Sequence, residues 1–194
     1  MRWYHSHIME IRPIRPADVD RLIDIDGTIE SSDYLHVDRT GEGFTGSWKI
    51  EQRPFREKRM NRNPVTDETQ FLLRQIATGV EEGVALLAEH EGINVAQLVA
   101  RFEPEYQTLR VHDVRIDFEH RRQGLGSAML FMAIGEARQR QLRAVAAESC
   151  TDNVPAAGFL TKCGFELSGL DIRKHTNHDL VKEVVTLFWY APLD

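Results

Sequence analysis

Residues 111–126 read VHDVRIDFEHRRQGLG, and this stretch decides the fold that the sequence predicts. Apolar and polar residues alternate from Thr108 to Phe118, which is the period of a β-strand with one buried face. The apolar parity changes at Asp113, which is typical of a β-bulge. The sequence therefore predicts a strand, with a bulge near its middle, that leads into a loop containing glycine.

A helix is predicted directly after this loop, from about Leu125 to Arg140. Its inward stripe consists of apolar residues at helical spacing, namely Leu130, Ile134 and Ala137. Gly124 and Gly126 let the backbone approach a ligand closely, and the first N–H groups of a helix point outward with a partial positive charge. Arg121 and Arg122 add charge at the rim. The unit therefore has the features of a pyrophosphate cradle.

Two common nucleotide-binding motifs do not match this loop. A Walker loop needs four residues between its glycines and then Gly-Lys-Ser/Thr, and a dinucleotide fingerprint needs Gly-x-Gly-x-x-Gly or Ala after an early strand. Residues 124–129 read GLGSAM and satisfy neither pattern. The cradle is therefore predicted to serve a different phosphate-bearing ligand.

Upstream of the strand, the sequence predicts an alternation of short elements and one long irregular segment. In chain order these are a first strand ending at Pro16, a helix over Ala17–Gly27, loop with a short helix over Thr28–Asn63, a helix over Thr66–Thr78, and strands over Val84–Glu89 and Asn94–Phe102. Glu91 and Gly92 indicate a hairpin turn between the last two strands. The irregular segment is charged and lacks a sustained period, so we expect it to carry groups that contact the substrate.

Downstream of the helix, the sequence predicts further strands around one more helix. These are a strand over Arg143–Glu148, a helix capped by Asn153, and strands over Phe165–Leu170 and Val181–Tyr190. The strand-helix-strand unit over 111–148 is expected to put two parallel strands side by side. The whole order predicts an α+β fold with a single mixed, mostly antiparallel sheet flanked by helices. Residues 1–194 are expected to form one domain with a flexible terminus at 1–10.

Composition excludes several classes of protein. Of the 194 residues, 42% are hydrophobic and 28% are charged, as in ordinary globular proteins. The formal net charge of −6 argues against a nucleic-acid binder. No apolar run reaches the length of a bilayer span and the start lacks a secretory signal, so we expect a cytoplasmic protein without a membrane partner. Cys150 and Cys163 lack the paired spacing of a zinc site and are expected to be reduced thiols, with no metal bound.

The chain resembles the GNAT superfamily of acyl-CoA N-acyltransferases. Arg121-x-x-Gly124-x-Gly126 is similar to the Arg/Gln-x-x-Gly-x-Gly/Ala signature of that family. The resemblance covers residues 111–165, which it identifies as an acetyl-CoA-binding core in a GNAT-like fold. The tail over Glu183–Tyr190, together with Val111–Val114, resembles streptothricin-acetyltransferase-type members in particular.

The resemblance implies which residues bind the cofactor. Ile116 matches the position whose backbone pairs with the pantetheine arm, and backbone N–H groups from Arg122 through Ser127 match those that hold the pyrophosphate. Asn153 matches the Asn that begins the next helix, although a simple helix cap explains it equally well. The implied cofactor-binding residues are Ile116, Phe118, Arg121, Arg122, Gln123, Gly124, Leu125, Gly126, Ser127 and Asn153.

The catalytic base and acid stay open at the level of the sequence. An ammonium group cannot attack a thioester, so the enzyme must bind the small neutral fraction of the amine or remove a proton through a side chain or a chain of water. The candidate bases are His112 or Asp113, with Glu148 as a further candidate. A backbone N–H near Val114–Ile116 is expected to polarise the thioester carbonyl.

The acid that the family commonly uses is missing. The resemblance places a Tyr immediately after the helix aromatic, where it protonates the departing thiolate, but Leu160 occupies that position here. Cys163, Tyr190, Tyr106 and solvent are the replacements that the sequence offers.

The sequence predicts transfer of acetyl from acetyl-CoA to a primary amine of a small molecule, an antibiotic or a metabolite. Carboxylates of the irregular segment, Glu30, Asp33 and Asp38, are candidates to receive a cationic acceptor. The alternatives are a peptide or protein amine as acceptor, or a regulatory module that binds acyl-CoA without catalysis. A purely structural domain would leave the coincidence of the glycine loop and the helix that Asn153 begins unexplained. The apolar final strand is a candidate surface for a homodimer.

Overall fold

The structure, a computed structural model, describes residues 9–193, except for the side chains of residues 23 and 24. Most of the terminal segment 1–10, which the sequence predicts to be flexible, lies outside the described residues. The chain divides into two compact units, the first drawn from Met1–Thr28, Asn63–Val145 and Leu193–Asp194 and the second from Ile29–Arg62 and Ala146–Pro192. The single domain expected from the sequence stays a prediction.

Strands make up most of the regular structure of the described residues. They are β1 (Glu10–Pro13), β2 (Ile29–Thr40), β3 (Ser47–Asn61), β4 (Gly83–His90), β5 (Ile93–Glu103), β6 (Thr108–Ile116), β7 (Ala144–Cys150), β8 (Glu166–Asp171) and β9 (Thr186–Pro192). The α-helices are α1 (Asp67–Ala77), α2 (Leu125–Gln139), α3 (Val154–Lys162) and α4 (Asp179–Lys182). Short 3-10 helices cover Pro16–Asp24, Gly43–Thr45 and Phe118–His120.

In the first unit, β1, β4, β5 and β6 are neighbours in that order, and each pair is antiparallel. The predicted hairpin between β4 and β5 is confirmed, and its turn residues Glu91 and Gly92 have φ angles of 53° and 80°. Positive φ at both central residues gives the turn the twist that the flanking strands need. A core cluster that includes Leu22, Leu73 and Leu87 is buried beside this hairpin.

Helices α1 and α2 complete the first unit and were both predicted from the sequence. The hydroxyl of Thr66 caps α1 by accepting from the Thr69 N–H at 3.1 Å. Helix α2 contacts β4, β5 and β6 and buries a stripe of residues at helical spacing, Leu125, Met129, Leu130, Ala133, Ile134 and Ala137. This buried stripe fixes the start of α2 next to the end of β6.

In the second unit, β9 lies between β7 and β8 and runs antiparallel to β8. Strands β2 and β3 form a separate two-stranded antiparallel ribbon. The ribbon is joined to the end of β7 because the Leu35 N–H donates to the Thr151 carbonyl at 2.8 Å. His36 Nδ1 and Glu183 Oε1 add a contact of 2.8 Å.

The prediction of an irregular segment over Thr28–Asn63 is wrong, because most of it forms the β2–β3 ribbon. Its charged residues stand on both faces, so the ribbon lacks the apolar alternation by which a strand is recognised. Cross-strand contacts hold it instead, such as the Arg39 guanidinium 5.2 Å from the ring centre of Trp48.

Two further boundaries differ from the prediction. Val181 does not start the last strand but lies in α4, and β9 begins only at Thr186. The buried Asp179 accepts from the backbone N–H groups of His175 and Thr176 at 2.8 and 2.7 Å, which favours a helical turn there. The helix expected over Ala17–Gly27 is a 3-10 helix over Pro16–Asp24. Within residues 9–193, no helix is long and apolar enough to cross a membrane.

Candidate active site

The middle of β6 contains the bulge that the sequence predicts. Val99 of β5 pairs with Asp113 and Ala100 pairs with Val111, so His112 has no partner residue in β5. The extra residue therefore lies one position before the predicted change of parity. A bulge redirects side chains locally, and here His112 is exposed while Asp113 is half-buried.

Asp113 belongs to a buried polar network. Its Oδ2 accepts from Gln97 Nε2 at 2.6 Å, and its Oδ1 lies 3.3 Å from Arg115 Nη2. The Arg115 side chain is only 3% exposed and also donates to the backbone carbonyls of Asn63 and Pro64. These contacts hold Asp113 as the partner of a buried cation, so its lone pairs are largely engaged.

His112 has a different environment. Burial of the imidazole by surrounding protein lowers its pKa, and the positive charges of Arg101 and Arg110 lower it further. Although the residue has exposed surface, the charged ring is disfavoured by both effects. A neutral imidazole at pH 7 is the form that can take a proton from an amine.

The chain leaves β6 through a turn that Asp117 organises. Its carboxylate accepts from the backbone N–H groups of Glu119 and Asp26, both at 3.2 Å, and lies 2.9 Å from His120 Nδ1. Sequence reasoning did not identify Asp117, although an Asp before a helical turn is a recognisable cap.

Arg121 faces the protein backbone. Its Nε donates to the Ile116 carbonyl at 3.0 Å, and its guanidinium lies 5.1 Å from the ring centre of Phe118. Another nitrogen donates to the Asp26 carbonyl at 3.4 Å. Arg121 thus contacts two other residues that are predicted to bind the cofactor, Ile116 and Phe118. Arg122 is exposed and has a φ of 61°.

Gly124 begins α2 in the left-handed conformation, with φ of 79°. A Cβ built there would meet no atom within 4 Å, so the space beside this glycine is open. Gly124 offers no side chain to cap the helix, and the first N–H groups of an α-helix have no acceptor within the helix. An uncapped helix start beside open space fits a pyrophosphate group, which the backbone of residues 122–127 would hold. Gln123 is exposed, Leu125 is buried, and Gly126 and Ser127 are half-buried.

Asn153 and Glu148 lie in the second unit. Asn153 caps α3, since its Oδ1 accepts from the Ala156 N–H at 3.2 Å, so the predicted cap is confirmed. Glu148 of β7 is exposed and forms an ion pair with Lys174.

Two of the candidates for a catalytic acid, Cys163 and Tyr190, also lie in the second unit, whereas Tyr106 is an exposed residue of the first unit. Cys163 is buried at the end of α3, Leu160 is buried within that helix, and Tyr190 is half-buried in β9. The roles predicted for Cys163 and Tyr190 stay predictions.

Two cavities in the first unit lie outside the 121–127 loop. A cavity of about 220 Å³ is lined by Arg21, Gly92, Ile93, Asn94 and Asp117. A second of about 420 Å³ is mainly apolar and lies around β4, α1 and α2. In the part of the chain that the structure describes, no group of three His, Cys, Asp or Glu residues is arranged to hold a metal ion.

Comparison with known proteins finds similarity to acetyltransferases. The model of the acetyltransferase (GNAT) family matches residues 47–165, which include β6, the glycine loop and α2. The chain is 30% identical over 80 residues to a streptothricin acetyltransferase of Escherichia coli, a match that spans 41% of this chain and 46% of that protein. It is 23% identical over 167 residues to the streptothricin acetyltransferase of Streptomyces lavendulae, spanning 86% of each protein.

Solved structures show the same fold. The crystal structure of nourseothricin acetyltransferase superposes with a TM-score of 0.77 at 22% identity, covering 96% of this chain and 99% of that one. A structure from Bacillus anthracis str. Ames in complex with acetyl coenzyme A has a TM-score of 0.76 at 17% identity, covering 98% of this chain and all of that one. The predicted fold class, a mixed and mostly antiparallel sheet flanked by helices, is confirmed by these matches. The chain therefore belongs to the GNAT family of acetyltransferases and is an N-acetyltransferase that takes its acetyl group from acetyl-CoA.

Proposed function

We propose that this enzyme acetylates a primary amine of a streptothricin-type antibiotic by direct attack of the amine on acetyl-CoA. The observation that carries the donor half is the open space beside Gly124 at the uncapped start of α2. The acceptor half is supported by the likeness to curated streptothricin acetyltransferases, one of which aligns with 86% of the chain. The net charge of −6 suits a cationic acceptor.

In this proposal the backbone at the end of β6 holds the pantetheine arm next to Ile116. Arg121 orients that carbonyl through its 3.0 Å hydrogen bond, and a backbone N–H near Val114–Ile116 polarises the thioester carbonyl. Arg121 is thus a positioning residue in this proposal.

We assign the base to His112, because Asp113 is engaged by Gln97 and Arg115. His112 takes one proton from the acceptor ammonium, the amine nitrogen then bonds to the acetyl carbon, and the carbon–sulfur bond breaks. The positively charged nitrogen of the adduct loses its second proton to solvent, which leaves the neutral acetamide. The departing CoA thiolate gains a proton from Cys163, Tyr190 or solvent, since Leu160 has no proton to give. The products are an acetamide and free CoA.

The same proposal places the enzyme in the cytoplasm, with neither nucleic acid nor membrane as a partner. A homodimer formed through the final strand has little support, because β9 already has β7 and β8 as neighbours. The alternative acceptor is a peptide or protein amine, which differs from the antibiotic in size and charge. Turnover measured with each compound distinguishes the two acceptors.

The test measures CoA-thiol release by the purified protein with acetyl-CoA and either streptothricin or a peptide with an N-terminal alanine. We expect turnover with streptothricin and a product heavier by one acetyl group in the mass spectrum. Turnover of the peptide alone would overturn the antibiotic proposal in favour of its rival. A protein that binds acetyl-CoA but acetylates neither compound would overturn both.

A further inference from the structure

A buried amide lies next to the bulge of β6 and takes no part in the proposed chemistry. Gln97 of β5 is 0% exposed, and its neighbours on the same face of β5 and β4 are fully buried and apolar, namely Leu87, Val95 and Val99. All of these residues belong to the first unit. A Leu or Met would fill such a position without burying a polar group. The amide of Gln97 therefore needs an explanation beyond packing.

Only one end of this amide has a hydrogen-bond partner. Its Nε2 donates to Asp113 Oδ2 at 2.6 Å. The carboxylate of Asp113 can only accept hydrogen bonds, so the amide nitrogen must face it and the amide oxygen must face away. Gln97 Oε1 is buried, and none of the described atoms forms a hydrogen bond with it. An unpaired buried oxygen opposes folding, so the contact with Asp113 is what the amide provides.

Asp113 directly follows His112, the extra residue of the bulge. The Asp113 carboxylate is held on two sides, by Gln97 Nε2 and by the guanidinium of Arg115, whose Nη2 lies 3.3 Å from Asp113 Oδ1. Arg115 belongs to the same strand as Asp113, whereas Gln97 belongs to the neighbouring strand β5. Gln97 is therefore the side chain that ties Asp113 across the ladder.

The pattern of apolar residues does not select this position for the bulge. The parity of β6 predicts the irregularity at Asp113, one residue later than the structure has it. If the extra residue moved by that one position, His112 would pair with Val99 and Asp113 would become the residue without a partner. Because apolar contacts leave this choice open, a polar contact between the strands must make it. The hydrogen bond from Gln97 to Asp113 is placed to do so.

The position of the bulge matters because it sets the surroundings of His112. Burial by surrounding protein and the charges of Arg101 and Arg110 lower the pKa of this imidazole, whereas the charges of Glu103 in β5 and Glu68 in α1 raise it. A shift of His112 by one position in the ladder would change its burial and its distances to these four charges. The pKa of His112 is therefore a readout of where the bulge lies.

We propose that Gln97 is a positioning residue, which fixes the bulge of β6 at His112 through its hydrogen bond to Asp113 and so holds the imidazole where it acts as base. The inference rests on the proposed function and deepens it, since it adds a buried residue on which the assigned base depends. Gln97 contacts neither substrate and makes or breaks no covalent bond. It acts on the rate of the chemical step and leaves binding of acetyl-CoA unchanged.

The test compares Gln97→Met with the parent protein, because Met has a similar size but cannot donate a hydrogen bond to Asp113. An NMR titration of protein with labelled histidine follows His112, whose signal is identified by its absence in His112→Gln. In Gln97→Met we expect the pKa of His112 to rise toward the ordinary value of about 6.5, because a mobile bulge exposes the ring to water. We also expect kcat with streptothricin to fall about 10- to 100-fold while KM for acetyl-CoA stays within about twofold.

Leu87→Met is the matched control. Leu87 stands opposite Gln97 in β4 and is fully buried, so this variant changes core packing at the same place without removing a hydrogen bond. We expect the pKa of His112 and kcat to stay at the values of the parent. Thermal unfolding should show little loss of stability in Gln97→Met, because this variant also removes the unpaired Oε1.

Each outcome separates this inference from the proposed function. An unchanged His112 pKa in a folded Gln97→Met would overturn the inference, and so would an equal change in Leu87→Met. A raised His112 pKa with unchanged kcat would overturn the role of Gln97 in catalysis. Failure of the parent to acetylate streptothricin would overturn the proposed function, and the NMR titration alone would then decide whether Gln97 fixes the bulge. Gln97→Leu guards against a folding defect peculiar to Met; loss of stability in both variants without a change at His112 would make Gln97 a residue of the fold alone.

Discussion

The β6–α2 region, residues 111–127, and the β2–β3 ribbon differ in how they are held together. In β6–α2, the turn after the strand is built by contacts close in sequence, such as Arg121 with the Ile116 carbonyl and Asp117 with Glu119. Distant segments add further contacts to it, such as Asp26 with Asp117. In the ribbon, residues far apart in sequence meet, as Tyr34 does with Phe55 at 4.9 Å between ring centres. Local contacts leave motifs in a sequence, whereas contacts across a ribbon leave only a scattering of charged and aromatic residues.

The two regions also differ in the kind of group that each presents. At the start of α2 the backbone is exposed to a ligand, because Gly124 has no side chain and adopts a positive φ. The ribbon presents side chains, including an Arg59 guanidinium 4.0 Å from the ring centre of Phe55. Backbone groups suit a donor that is common to many enzymes, whereas side chains suit an acceptor that differs from enzyme to enzyme.

The largest expected effect comes from His112, the side chain that would make β6 catalytic. We expect His112→Gln to lower kcat about 100-fold or more, the usual share of a general base. The pKa of His112 is lowered, and activity requires the neutral ring, so activity should persist above that pKa and be lost as pH falls through it. The acid limb of kcat/KM should therefore lie below the ordinary histidine value of about 6.5.

The measurement is a pH–rate profile of the parent protein and of His112→Gln. Asp113→Asn is the comparison variant. It removes the negative charge that pairs with the buried Arg115 side chain, so we expect it to lower the stability of the fold and leave the acid limb of the pH–rate profile in place. An acid limb that persists unchanged in His112→Gln would assign the base to another residue.

A carboxylate at Gly124 should abolish donor binding and so remove the function of the loop. We expect Gly124→Glu to weaken acetyl-CoA binding about 100-fold or more, because like charges brought together cost several kcal/mol. Loss of the thermal stabilisation that acetyl-CoA gives to the parent protein would report this effect.

Gly79→Glu provides the matched control for this change. Gly79 has a φ of 76° and, like Gly124, open space where a Cβ would stand. The two variants carry the same backbone strain, so a loss of acetyl-CoA binding in both would mean that strain and not the cradle is responsible.

Removal of the Arg121 side chain should weaken acetyl-CoA binding less than Gly124→Glu does. We expect Arg121→Ala to weaken acetyl-CoA binding about 10-fold, since the guanidinium orients the Ile116 carbonyl but is not proposed to touch the ligand. Arg122→Ala should cost less than about fivefold, because Arg122 is exposed. Isothermal titration of both variants tests this order, and a larger loss in Arg122→Ala would make Arg122 the main phosphate contact.

The smallest expected effect belongs to the ribbon. Phe55→Ala removes a stacked pair with Tyr34 and the surface beneath Arg59, interactions worth about 0.5–1.5 kcal/mol. We expect a rise of a few fold in KM for streptothricin with KM for acetyl-CoA unchanged. Phe44→Ala, at an exposed position of the ribbon tip, should change neither constant. A change in KM for acetyl-CoA in Phe55→Ala would contradict the division between donor and acceptor regions.

Much of the fold was predictable because its signals are local. The helix α1 lies within the predicted range Thr66–Thr78, Glu91 and Gly92 close the β4–β5 hairpin, and Asn153 caps α3, all as predicted. Each signal concerns residues within four positions of one another, where a side chain and the backbone must meet whatever the rest of the chain does.

The ribbon and the contact between Cys150 and His175 were not predictable for the opposite reason. The ribbon lacks an apolar face, and pairing of β2 with β3 becomes visible only when both strands are placed. Cys150 and His175 are 25 residues apart in the chain, and no spacing rule connects them. A polar cluster formed by long-range folding has no period from which it can be recognised.

The sequence by itself determined the strand–loop–helix unit and a cradle for a phosphate-bearing ligand, because backbone conformation follows from a few neighbouring residues. The class of donor followed from the resemblance of Arg121-x-x-Gly124-x-Gly126 to the GNAT signature. Only the tertiary structure decided which side chains of that region form hydrogen bonds or ion pairs with other parts of the protein. It showed that Asp113 is bound by Gln97 and Arg115 and that Arg121 is turned toward Ile116. Such assignments depend on burial and on partners from distant segments, and folding alone brings those segments together.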